Sequence, residues 1–109
     1  MRLFDGMTVE NGELNISGVG VSELKAQYGT PLYVENMLVN QCRTFINNFK
    51  SSRFNTEVLY ASKAFSCLEV LRIASREGLG VDVVSLGEIH TAYKAGYDMR
   101  RAYFHGNNK

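Results

Sequence analysis

The feature that most constrains this chain is a regular alternation of short apolar runs with helix-spaced segments over its last two-thirds. Leu32-Tyr33-Val34 reads as a strand, and Asn36 can cap a helix that sets Leu38, Val39, Cys42, Phe45, Ile46 and Phe49 on one face. Glu57-Val58-Leu59-Tyr60-Ala61 is the next strand. Ser66 with Glu69 three residues later forms a capping box for a helix through Leu68, Leu71, Ile73 and Ala74, and Gly78 is placed to end it. Val81-Asp82-Val83-Val84 is a third strand, followed by a second box of Ser85 and Glu88 and a second stop at Gly96. Ala102-Tyr103-Phe104-His105 is a fourth strand. Strand and helix in strict alternation predict right-handed βαβ units on a parallel sheet, an α/β fold.

The residues before this pattern read differently. Met7-Thr8-Val9-Glu10 and Glu13-Leu14-Asn15-Ile16 flank Asn11-Gly12, a pair suited to a hairpin turn whose central residues both take positive φ. Ser22 can cap a short helix to Tyr28, with Gly29 at its end. The chain has 109 residues and a formal net charge of +1. Such a balance lacks the basic footprint of a nucleic-acid binder. No apolar run approaches the ~20 residues of a membrane span, and the amino terminus lacks the apolar core of a secretory signal. Cys42 and Cys67 have no CxxC spacing and read as free thiols in a reducing, cytoplasmic setting.

Functional groups of parallel α/β folds collect at the carboxyl ends of strands. Here those ends carry Ser62-Lys63, Asp82 with Ser85, and His105 with Asn107-Asn108. Strand alternation places Lys63 on the face of Leu59 and Ala61. A lysine at the interior end of a strand is costly to desolvate while charged, which makes its amine nucleophilic towards carbonyls. A solvated lysine in a βα loop is the plainer alternative. Asp82 falls on the face opposite Val81 and Val83, where a carboxylate needs a partner such as a lysine or backbone donors. Glu88 stands open between a site role and simple membership of its capping box. His105 stands open between base, ligand and a strand-end histidine satisfied by backbone. No metal-ligand spacing, GxGxxG, GxxxxGK[ST] or GxSxG occurs.

Three blocks carry a resemblance. Val58-Leu59-Tyr60-Ala61-Ser62-Lys63-Ala64-Phe65 resembles the cofactor-lysine strand of the diaminopimelate decarboxylases. The run from Glu77 through Gly80-Val81-Asp82 to Glu88 resembles that family's second motif, and Tyr103-Phe104-His105-Gly106-Asn107-Asn108-Lys109 its third. Tyr28-Gly29-Thr30-Pro31-Leu32-Tyr33-Val34 is similar to the family's lead-in to its barrel. Leu86 departs from the pattern, which commonly has a small residue there. Related decarboxylases of ornithine or arginine share the lysine and the Gly-x-Asp block, while the His-Gly-Asn-Asn-Lys ending resembles the diaminopimelate branch.

The resemblance implies the first half of an alanine-racemase-like (β/α)8 barrel over residues 31–109, preceded over 1–30 by a β segment belonging to a second β domain. It implies pyridoxal 5'-phosphate as cofactor, Lys63 as the Schiff-base lysine, and Asp82 as its catalytic partner. Glu88, His105 and Asn107 are implied to line the cofactor site. The implied reaction converts meso-diaminopimelate to L-lysine in a homodimer. A whole barrel needs ~250 residues, so this chain is expected to be a fragment, inactive alone, with Phe45, Phe49 and Leu71 partly exposed. A single-domain pyridoxal-phosphate homeostasis barrel and a non-catalytic remnant are the competing expectations.

Overall fold

The computed structural model describes residues 2–106. These form two compact units, Met1–Met37 and Leu38–Lys109. In the first, β1 (Met7–Glu10), β2 (Glu13–Ile16) and β3 (Val19–Gly20) make an antiparallel meander. Met7 pairs with Ile16 and Glu10 with Glu13. The expected hairpin is therefore present, with Asn11 at φ 52° and Gly12 at φ 78°. Both angles lie in the left-handed region that Asn and Gly tolerate best.

Helix α1 (Val21–Tyr28) follows, and Gly29 ends it with its N–H on the Lys25 carbonyl. Ser22 does not cap this helix; Gly20 holds the N-cap position without a side-chain bond. The orphan Ser22 N–H instead donates to Glu13 Oε1 at 2.9 Å, so a carboxylate from β2 does the work of the cap. The Ser22 hydroxyl and then this N–H hold the Glu13 carboxyl below its ordinary range. Leu32-Tyr33-Val34 is not a strand. A strand exists only as a ladder, and among the described residues nothing pairs with this segment.

Helix α2 (Glu35–Asn48) leads into the second unit, where β4 (Leu59–Ala61), β5 (Gly80–Val83) and β6 (Ala102–Phe104) form a parallel sheet in chain order. Helices α3 (Leu68–Arg76) and α4 (Leu86–Lys94) make the crossovers. The core lies under one face of this sheet. Val81 and Val83 of β5 meet Leu71 and Ala74 of α3 and Ala92 of α4, and Cys42 and Ile46 of α2 pack against the cluster. Leu71 is fully buried, contrary to expectation, because it sits over β5. Phe45 and Phe49 are exposed as expected. Tyr97 closes the core edge, donating its hydroxyl to the Gly80 carbonyl at 3.3 Å. Burial pushes that phenol up to about 12.

The other face of the sheet follows from register. Leu59 stands beside Gly80, and Ala61, Asp82 and Tyr103 stand in one row. Residues so paired share a face, and alternate positions along each strand lie opposite Val81 and Val83. On this second face Leu59 and Tyr103 are exposed and Ala61 and Asp82 half-buried. Among the described residues, no helix is long and apolar enough to cross a membrane.

Candidate active site

Beyond each parallel strand the backbone turns towards a helix, and these turns hold the polar residues. After Ala61 the chain makes one 3₁₀ turn, Ser62–Ala64. Lys63 sits in it, exposed as in the plainer alternative of a solvated loop lysine; the strand stops at Ala61, so the alternation expected to set Lys63 on the face of Leu59 and Ala61 does not reach it. Among the described residues its amine has no ion-pair partner. Asp82 is half-buried on the open face, beside Ala61 on one side and Tyr103 on the other. His105 continues β6, donating its N–H to the Val83 carbonyl at 2.9 Å, and its side chain is exposed. Lys63, Asp82 and His105 thus come from the carboxyl ends of three consecutive strands, spaced about 4.8 Å from one to the next. Asn107 lies outside the described residues.

Glu88 does more than cap. Ser85 accepts the Glu88 N–H at 3.2 Å, as the sequence predicts for the first half of a capping box. The returning half is redirected. Glu88 Oε2 accepts the Val84 N–H at 2.9 Å and the Ser62 hydroxyl at 2.9 Å. One carboxylate oxygen therefore joins the ends of β4 and β5 at the head of α4. Ser62 is completely buried, the one buried polar side chain among the described residues. A buried hydroxyl demands a partner, and Glu88 meets that demand. The other expected capping box does not form. Helix α3 begins after Cys67 without a side-chain cap. Ser66 instead lies 3.4 Å from the Ser62 hydroxyl, while Glu69 pairs with Arg72 on the surface.

A second polar group, absent from the sequence reading, lies at the opposite end of the same sheet. Arg101 Nε donates to Glu57 Oε1 at 2.7 Å, and the Tyr103 hydroxyl donates to Glu57 Oε2 at 2.8 Å. Arg101 also reaches the Gly78 carbonyl at 2.6 Å. The Arg101 guanidinium and then Tyr103 hold the Glu57 carboxyl below its usual range. The contact joins residues 44 apart in sequence, so no local pattern announced it. It braces the amino-terminal ends of β4 and β6, away from the lysine.

Residues 35–109 match the family model described as pyridoxal-dependent decarboxylase, pyridoxal binding domain. This chain belongs to that family. Its curated relatives include the diaminopimelate decarboxylase of Bacillus methanolicus, 46% identical over 102 residues, and that of Bacillus subtilis (strain 168), 44% identical over 102. Each match covers 92% of this chain, but 24% and 23% of the relative's length. The chain thus spans about a quarter of the curated relatives it matches. Among solved structures, the diaminopimelate decarboxylase of M. jannaschii in co-complex with L-lysine superposes with a TM-score of 0.84 at 31% identity. That match covers 94% of this chain and 25% of that one. The mixed α/β fold is accordingly that of the amino-terminal part of those enzymes, with the sheet unclosed here.

The donor set suits the pyridoxal group of this family. An aldehyde cofactor requires a sterically open amine, and Lys63 offers one, exposed in the turn just beyond β4. The carboxylate of Asp82 lies on the adjacent strand end, able to balance a cationic amine or ring.

Proposed function

We propose that this chain supplies the lysine-bearing units of an alanine-racemase-like (β/α)8 barrel that decarboxylates meso-diaminopimelate to L-lysine. Residues 31–109 belong to the barrel and 1–30 to a second β domain, the whole working as a homodimer. The observation that carries this reading is the convergence of Lys63, Asp82 and His105 on consecutive strand ends within a pyridoxal-binding segment. The L-lysine in the M. jannaschii relative agrees with the product.

Lys63 would hold the cofactor through its side-chain amine and, with that amine free, would move a proton at the substrate's α-carbon. Pyridoxal phosphate, when bound, supplies an electron sink for the pair left behind by carbon dioxide. Asp82, on the neighbouring strand beside Ala61, supplies the carboxylate nearest in register to the lysine turn. His105 and Asn107 frame the cofactor from the next strand end. Side chains for the cofactor phosphate and the substrate's carboxylates come from the remaining length that the relatives possess.

The test is to fuse this chain to the complementary part of the Bacillus methanolicus relative and measure carbon dioxide release from meso-diaminopimelate. The fusion is expected to turn over, Lys63→Ala in it to lose a hundredfold or more, on the order of a general acid–base contribution, and the chain alone to show no turnover. A folded fusion inactive on meso-diaminopimelate but active on ornithine or arginine would contradict the reading.

A further inference from the structure

The Lys63 turn must be held still for its amine to meet a carbonyl in one geometry, yet the turn itself is short and exposed. Its near end is fixed from beneath. Ser62, immediately before the lysine, is fully buried and donates to Glu88 Oε2 at 2.9 Å. A carboxylate has no proton to give, so the single Ser62 proton goes to Glu88, and the Ser66 hydroxyl, 3.4 Å away, donates to Ser62. The same Oε2 takes the Val84 N–H at 2.9 Å, at the end of the strand that carries Asp82. The far end of the turn is held separately, by the Tyr60 hydroxyl on the Phe65 carbonyl at 2.9 Å.

We propose that Glu88 is a positioning residue: its Oε2 clamps the β4 and β5 ends together through Ser62 and Val84, and so sets Lys63 against Asp82 without itself touching the cofactor. This rests on the assignment of Lys63 as the cofactor lysine. The geometry makes a sharp distinction possible. Both bonds end on one oxygen, and a glutamine carbonyl oxygen accepts the same two donors. Glu88→Gln keeps the clamp and removes the charge, whereas Glu88→Ala and Ser62→Ala break it.

The experiment uses the full chain. Backbone amide exchange is followed at residues 62–64 and at Val84, and the rate of borohydride-trapped labelling by pyridoxal phosphate is followed at Lys63. Glu88→Ala is expected to speed exchange at 62–64 and at Val84 at least tenfold and to slow Lys63 labelling at least tenfold. Ser62→Ala should do the same at 62–64 and at Lys63 while leaving Val84 protected. Glu88→Gln should stay within threefold of the unaltered chain in every readout. Should Glu88→Ala prove unfolded by circular dichroism, Ser62→Ala, which deletes a single oxygen, decides the matter against Glu88→Gln. Labelling lost in Glu88→Gln as in the alanine variant would show that the charge acts directly and overturn the proposal. Label on Lys63 at an unchanged rate in Ser62→Ala would overturn it as well. Label on another lysine in the unaltered chain would overturn the Lys63 assignment itself, and with it this proposal.

Discussion

Replacing Gly80 by alanine tests how tightly the strands that carry the site are drawn together. A Cβ on Gly80 would lie 2.5 Å from Leu59 Cδ2, and 3.0 Å from both the Arg101 carbonyl oxygen and Glu57 Oε1. These three obstacles are not equal. Leu59 is 38% exposed, so its methyl can swing into solvent at little cost. The Arg101 oxygen is backbone at the start of β6, and Glu57 Oε1 is pinned by Arg101 at 2.7 Å. To make room, β6 or the Glu57–Arg101 pair must move by a few tenths of an ångström. Overpacking of this kind costs about 1–3 kcal/mol. Gly87 is the natural control. It lies in the first turn of α4 with its nearest obstacle, Ser85 Oγ, at an ordinary 3.8 Å. Alanine there should stabilise by about 0.5–1 kcal/mol, through helix propensity alone. In urea unfolding followed by far-ultraviolet circular dichroism, with a slope of about 1 kcal/mol per molar, the Gly80→Ala midpoint should fall by about 1 M or more. Equal midpoints for the two variants would refute the close approach of β4, β5 and β6.

Further outcomes follow from the same structure. Glu57, Glu77 and Asp98 are held below their ordinary values by Arg101, Arg43 and Arg100 respectively, Asp98 at about 2. The unfolded chain then binds more protons in the acid range, so stability present above about pH 4.5 is lost as pH falls towards 2, measurable by thermal melts across that window. Tyr97 has the opposite sense. Its phenol is raised to about 12, so its contribution is intact below pH 10 and lost as pH rises through 12; a spectrophotometric titration should show a tyrosine ionising near 12 that is absent from Tyr97→Phe. In the fused enzyme, Asp82→Asn should fold normally and lose roughly tenfold in turnover, about 1.4 kcal/mol of transition-state stabilisation, with an altered pH–rate profile. An unchanged profile would make Asp82 structural.

The parts of this fold legible in the sequence are those fixed by local rules. Asn11-Gly12 specified its turn, Gly78 and Gly96 mark helix ends with φ of 89° and 84°, and alternation within Val81-Asp82-Val83 separated the core face from the open one. What misled was local chemistry with a stronger distant partner. Ser22 has the look of a cap, but the Glu13 carboxylate from the hairpin reaches its N–H. Ser66 has the spacing of a capping box, yet it stands beside buried Ser62 and leaves α3 uncapped. Leu32-Tyr33-Val34 has strand composition and no partner strand among the described residues. The candidate site divides the same way. Lys63, Asp82 and His105 were placed by strand order, whereas the bond from Ser62 to Glu88 spans 26 residues and the Glu57–Arg101 pair spans 44. Such pairs depend on which strands lie side by side, and local periodicity reports only which face a residue takes.

The central claim is that Lys63 carries the cofactor, and peptide mapping tests it most directly. The fusion with the Bacillus methanolicus remainder is incubated with pyridoxal phosphate, reduced with borohydride, digested, and its labelled peptide sequenced. The account predicts one stoichiometric pyridoxyl group on Lys63, absent from Lys63→Ala. Stoichiometric label on any other lysine, or on Lys63→Ala, would contradict it.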